Sequence, residues 1–219
     1  MLLEPAPALT DLLLGIVVLG LAVGLSRVPA VNRYWRGAFW WAGFGALGGF
    51  VHHGVLTRWP AVATWSWVIL SMMVVLAVSY LLAATVEEVL GPGHARTFWL
   101  LRTVGLVAYA CIALSGHAGV SAILACESLT MAAVLALWGW AASRHHPMAR
   151  PVLLAILASM AAAGSRALSP NVTGHVNLDP TSLYHLAQIA GMVLLYRAIV
   201  AHRQAAPQRR AAQVGQQLS

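Results

Sequence analysis

The chain has 219 residues, 60% of them hydrophobic and only 9% charged, where an average soluble domain carries roughly 25% charged residues. Apolar runs of about 20 residues, the length that a bilayer core of about 30 Å demands, follow one another almost without interruption, which excludes a soluble domain of any size. The net charge of +7 comes from arginine alone. The absence of lysine excludes a retinal photoreceptor or pump, which needs a lysine for its Schiff base, and the arginine placement points to membrane topology rather than nucleic acid.

In chain order, apolar runs between polar punctuation predict seven helices: Leu9 to Leu25, Trp35 to Leu56, Ala61 to Leu90, Phe98 to Ser115, Val120 to Ala142, Pro147 to Leu168 and Pro180 to His202. The first run follows Glu4 and Asp11 rather than basic residues, so it reads as a retained helix and not a signal peptide. The connections are short, among them Gly91-Pro92-Gly93-His94 and the basic junction Arg144 to Pro147; only Ser169 to Asp179 makes a longer loop. The predicted organisation is a seven-helix membrane domain over residues 1–203, all-α, followed by a disordered or interfacial tail over 204–219, rich in Ala, Gln and Arg.

Alternate loops fall on opposite sides, and cytoplasmic loops collect positive charge. One side holds Arg27, Arg33, Arg36, Arg96, Arg102, Arg144, Arg150, Arg203, Arg209 and Arg210, the other Arg58 and Arg166. The expectation is an N-terminus outside and a C-terminus in the cytoplasm. Trp35, Trp59, Trp99, Trp138 and Trp140 near helix ends read as the interfacial aromatic belt, and Glu87 and Glu88 as a solvated helix end within reach of Arg96. Cys111 and Cys126 lie inside apolar runs and read as small hydrophobes.

Ionisable groups inside membrane helices are costly, so each is a functional candidate once a partner can be named. With the topology above, Asp11, His52, His53, His117, Asp179 and His185 all fall toward the outer leaflet. Adjacent residues on a helix point about 100° apart, so His52 and His53 cannot share one site; small residues at Gly45 and Gly49, spaced four before His53, favour His53 as the inward one. On the seventh helix Thr181, His185 and Gln188 share a face, with Tyr184 one position off it.

Two or three imidazoles with a carboxylate and an open position for water is the pattern of a catalytic zinc site. Here His53 and His185 would be ligands, with His175, Asp179 or Asp11 completing the shell and Asp11 or Asp179 acting as base or orienting a ligand. Other duties are open to the same residues: Asp179 before Pro180 is a helix cap, Asp11 complements a helix N-terminus, and a histidine can bond a neighbouring helix with no metal. Glu127, about eight residues and roughly 10 Å inside the fifth helix, is either neutral or paired, as a proton relay, a polar ligand contact or a cross-bundle bond.

The second helix ends in Gly48-Gly49-Phe50-Val51-His52-His53-Gly54 and the seventh opens on Thr181-Ser182-Leu183-Tyr184-His185. In helix count, topology and these two stretches the chain resembles the CREST superfamily of seven-helix membrane proteins, which includes alkaline ceramidases and the progestin and adiponectin receptor family. It is also similar to bacterial seven-helix proteins carrying a Gly-Gly-x-x-His-Gly stretch on helix two. The superfamily has serine four residues before the helix-two histidine, where this chain has glycine, and His-x-x-x-His on helix seven, where Thr181 replaces the first histidine; its aspartate near the start of helix three has no counterpart in Arg58-Trp59-Pro60-Ala61.

What the resemblance implies is a zinc-dependent hydrolase of a lipid or amphiphilic amide or ester, in a bacterial inner membrane, with membrane lipids as partners. Two other classes stand beside it. One is a non-enzymatic receptor, small transporter or accessory subunit binding a ligand among Glu127, Tyr184, Gln188 and His52; the other is a membrane protein ligating haem through two histidines on facing helices.

Overall fold

A computed structural model describes residues 2–117, 119–165 and 179–217. Among them the protein is all-helical, with seven α-helices: α1 Pro5–Arg27, α2 Arg33–Gly54, α3 Pro60–Leu90, α4 His94–Ile112, α5 Val120–Ser143, α6 Ala149–Ser165 and α7 Pro180–Gln217. Among the described residues, four segments are long and apolar enough to cross a membrane: Pro5–Arg27, Pro60–Leu90, His94–His117 and Pro180–Ala205. The apolar parts of α5 and α6, Thr130–Ser143 and Ala149–Ala161, are shorter.

The breaks follow local chemistry. Proline opens α1 and α3, where its missing N–H costs nothing. The Asn32 side chain caps α2 by accepting from the Trp35 N–H at 2.9 Å. Gly91 and Gly93 take positive φ of 101° and 98° and turn the chain sharply between α3 and α4. A wider turn over Ala113–His117, with Gly116 at φ 88°, ends α4. At the far terminus α7 runs on as a helix to Gln217, through the segment expected as a disordered or interfacial tail, because Ala, Gln and Arg are good helix formers.

Helices α1, α2, α3, α5, α6 and α7 pack in a ring, each against the next and α7 back onto α1, while α4 lies against α3. Inside, Val18, Ala22, Phe39, Val86, Val134, Val152 and Ile199 form one core. Outside, large apolar side chains such as Leu9, Ile16, Trp65, Ile69, Val104 and Leu157 are exposed, as a lipid-facing surface requires.

Trp35 and Trp138, expected at the interfacial belt, instead lie fully buried in this core. Each is held there because its indole N–H finds an acceptor on α3: Trp138 Nε1 donates to Thr85 Oγ1 at 3.1 Å and Trp35 Nε1 to Glu88 Oε2 at 3.4 Å. Trp59 and Trp140 remain exposed, as a belt would be.

Close approach of α1 and α2 depends on glycine. A Cβ on Gly43 would lie 2.6 Å from the Leu19 side chain, and one on Gly15 2.6 Å from that of Leu47, whereas Gly20 faces open space. Gly43→Val is expected to destabilise the protein by about 1–3 kcal/mol through overpacking. Gly20→Ala should be neutral or stabilising by up to about 1 kcal/mol. Thermal unfolding of both variants in one detergent checks the contrast.

Candidate functional site

The polar side chains of α1, α2, α3 and α7 gather at the end of the bundle where α1 and α7 begin. Residues 3 and 4 cross the end of α2: the Leu3 N–H donates to the Gly54 carbonyl at 3.2 Å and the Glu4 N–H to that of His53 at 3.1 Å. These bonds satisfy carbonyls that the end of α2 leaves open, and they bring the Glu4 carboxylate to 2.6 Å from His53 Nδ1.

Deeper in the bundle, Asp11 of α1 and His185 of α7 meet. Asp11 Oδ1 lies 3.2 Å from His185 Nε2, and His185 Nδ1 lies 3.1 Å from the Thr10 hydroxyl. Both residues are buried, at 5% and 7% exposure. Thr10 also reaches the Ala6 carbonyl at 2.9 Å. Successive residues of α1 therefore hold the two nitrogens of one imidazole on α7. Gly49 on α2 completes the site, since a Cβ there would overlap the Asp11 carboxylate. The small residue predicted to admit a neighbouring backbone admits an acid instead.

The buried face of α2 runs through Gly43, Ala46, Gly49 and His52. It therefore carries His52 inward rather than His53, because the packing stripe advances by three residues at its end where a spacing of four was expected. The His52 Nδ1 lies 2.6 Å from Ser66 Oγ on α3, its ring 5.6 Å from that of Trp67.

Asp179 caps α7. Its Oδ1 accepts from the Thr181 and Ser182 N–H groups at 2.9 and 3.0 Å, and its Oδ2 from the Ser182 hydroxyl. Burial raises the carboxyl's pKa, but the three donated bonds outweigh it and hold the group below the usual aspartate value. Tyr184 packs its ring 5.4 Å from that of His185, and Gln188 is half-buried one turn further on. His175 lies outside the described residues.

These contacts separate the expected zinc ligands into pairs: His53 with Glu4, His185 with Asp11 and Thr10, Asp179 with its own helix. Among the described residues no group of three or more His, Cys, Asp or Glu side chains could hold a metal ion. The donor set that the described residues offer does not fit zinc.

Glu127 is paired. Its Oε1 accepts from Arg102 on α4 at 2.7 Å, and Arg102 Nε donates to Ser79 Oγ on α3 at 2.9 Å. Arg102, counted above among the loop arginines, lies eight residues into α4 and serves as a counter-charge within the bundle.

Sequence reasoning missed a further cluster at the opposite end. Glu88, expected at a solvated end near Arg96, is 6% exposed in its side chain. It accepts from Arg203 on α7, lies 3.5 Å from His202 Nε2, and receives the Trp35 indole. The signal was His202 and Arg203 directly after the apolar run Ala198–Ala201, which points to Glu88 only once the end of α7 is known to lie within reach of the end of α3. His146, from the α5–α6 turn, stacks its ring 5.6 Å from His202 and 5.7 Å from Trp138.

The sequence profile of a family of unknown function, DUF6962, matches residues 6–204. The chain belongs to that family. The matched span takes in Thr10, Asp11, Gly49, Glu88, Arg102, Glu127 and His185, and so covers all three polar clusters. No curated protein and no solved structure matches the chain.

Two outcomes test these assignments. Asp179→Ala should cost about 1 kcal/mol at neutral pH. Because the folded pKa is depressed, that contribution is present above the ordinary aspartate value of 3.8 and is lost as pH falls through the lower folded value, so wild type and variant converge in acid. Glu127→Gln should destabilise by about 3–5 kcal/mol by leaving the Arg102 charge uncompensated, and the double variant Arg102→Met, Glu127→Leu should recover most of that loss. Thermal unfolding in detergent reads both.

Proposed function

We propose that the chain is a seven-spanning inner-membrane protein of bacteria, with its N-terminus outside and its C-terminus cytoplasmic, that binds a small or amphiphilic cation at the Asp11–His185 pair in exchange for a proton. It is thus read as a receptor or small transporter rather than a metalloenzyme. The observation that supports this is the placement of a buried carboxylate against an imidazole whose two nitrogens are both engaged.

The hydrogen bonds suit an imidazolium. Its Nδ1–H donates to Thr10 Oγ1, which donates in turn to the Ala6 carbonyl, and its Nε2–H donates to Asp11. Together imidazolium and carboxylate are neutral, which low-dielectric surroundings demand. Removal of the proton takes the pair from neutral to a net negative charge, which a cation arriving as the proton leaves would balance. The pair is therefore built to trade one for the other.

A second reading follows from the same three side chains with the proton placed differently. If Thr10 donates to Nδ1 and Nε2–H donates to Asp11, then hydroxyl, imidazole and carboxylate stand in the order that activates a nucleophile. The protein would then be a hydrolase of a lipid ester or amide, the activity that the likeness to CREST proteins suggests.

One set of variants separates the two. Wild type, Asp11→Asn and Thr10→Val are reconstituted in vesicles containing a pH-sensitive dye, and tetraphenylphosphonium or a long-chain alkylammonium ion is added outside. On the exchange reading the internal pH changes with wild type, changes more weakly with Thr10→Val, which keeps the Asp11 carboxylate, and does not change with Asp11→Asn. Turnover of fluorogenic lipid esters or amides that Thr10→Val abolishes, with no change in pH, would overturn it in favour of the hydrolase.

A further inference from the structure

Basic residues are unusual in the first turn of a helix, where the aligned peptide dipoles already present positive charge. This chain places them there twice, side by side. Arg33 and Arg36 lie in the first turn of α2 and Arg96 in that of α4, and neither first turn holds an acid. All three line one cavity of about 700 Å³ between α2, α3 and α4, well within the size of small-molecule sites.

The cavity wall is aromatic. Tyr80 and Trp99 pack with ring centroids 4.6 Å apart, and Tyr34 lies 6.3 Å from Tyr80. Gly37 makes this wall possible, since a Cβ there would overlap the Tyr80 ring. Of the guanidinium groups, Arg33 donates to the Tyr34 hydroxyl at 3.0 Å and feels the charge of Glu87. Arg36 donates to the Val31 carbonyl at 3.3 Å, and its Nε, buried, has no acceptor among the described residues. Arg96 is exposed. Two helix N-termini and three guanidinium groups thus converge on an aromatic cleft at a helix-bundle end, with Glu87 as the neighbouring acid.

We propose that this cavity binds a phosphate-bearing ligand, its anion held by Arg36 and Arg96 and its organic portion laid against Tyr80 and Trp99. Arginine suits the oxygens of a phosphate through paired N–H donors, and helix N-termini supply further positive potential. Two sources carry that chemistry: the headgroup of an anionic phospholipid, reached from the surrounding leaflet, and a soluble phosphorylated compound. The site is separate from the Asp11–His185 pair, at the other end of the bundle.

Binding is measured on the full chain in a neutral detergent, by thermal shift and by native mass spectrometry, with phosphatidylglycerol, phosphatidylcholine, inorganic pyrophosphate and adenosine diphosphate as probes. Arg96→Gln is the main variant, because its exposed side chain can be replaced without disturbing the fold; Arg36→Gln is the second, and Arg58→Gln, at the opposite end, is the control. Stabilisation by phosphatidylglycerol but not phosphatidylcholine, weakened about tenfold in Arg96→Gln and unchanged in Arg58→Gln, establishes a lipid headgroup site. The same pattern with pyrophosphate or adenosine diphosphate alone establishes a soluble ligand. No phosphate-specific shift in the wild type, or equal shifts in wild type and Arg96→Gln, would overturn the proposal.

Discussion

A carboxylate taken into an apolar helix bundle must bring its counter-charge with it, because no water remains to solvate it. The three acids buried in this protein each meet a basic group from another helix. Asp11 of α1 faces His185 of α7, Glu88 of α3 faces Arg203 and His202 of α7, and Glu127 of α5 faces Arg102 of α4. The first pair joins ring neighbours, the second reaches across the ring from α3 to α7, and the third ties α4 to α5. Apolar packing against lipid-like neighbours carries little directional information, so the pairs are what distinguish one neighbour from another.

The smallest residues serve the same constraint. Gly49 clears room for the Asp11 carboxylate, Gly43 and Gly15 let α1 and α2 close on each other, and Gly37 admits the Tyr80 ring. At the first of these positions a glycine that reads as a helix-packing residue has a polar task.

Two ends of the bundle have opposite characters. Where α1 and α7 begin, imidazoles meet carboxylates and proton transfer is the available chemistry. Where α2 and α4 begin, arginines crowd helix N-termini beside aromatic rings, and anion binding is the available chemistry. On the readings proposed above, charge is exchanged at one end and a phosphate is held at the other, with α2 and α3 reaching both.

Composition and hydropathy were enough to read out helices long and apolar enough to cross a membrane, because the cost of exposing backbone and charge to lipid acts on every residue and needs no knowledge of neighbours. Proline and glycine at the breaks fixed most helix starts within a few residues, and Asp179-Pro180 announced its cap, since capping is local chemistry. Glu127 was legible only as neutral or paired; the structure decided for pairing and supplied Arg102 as the partner. Which of His52 and His53 turns inward, whether Trp35 and Trp138 face lipid or core, and which acid meets which base were decided only by the tertiary structure. Thr10 and His185 stand 175 residues apart, and no periodicity along the chain carries information across that distance. Their meeting depends on α7 packing back onto α1, which is a property of the closed ring and not of either helix alone.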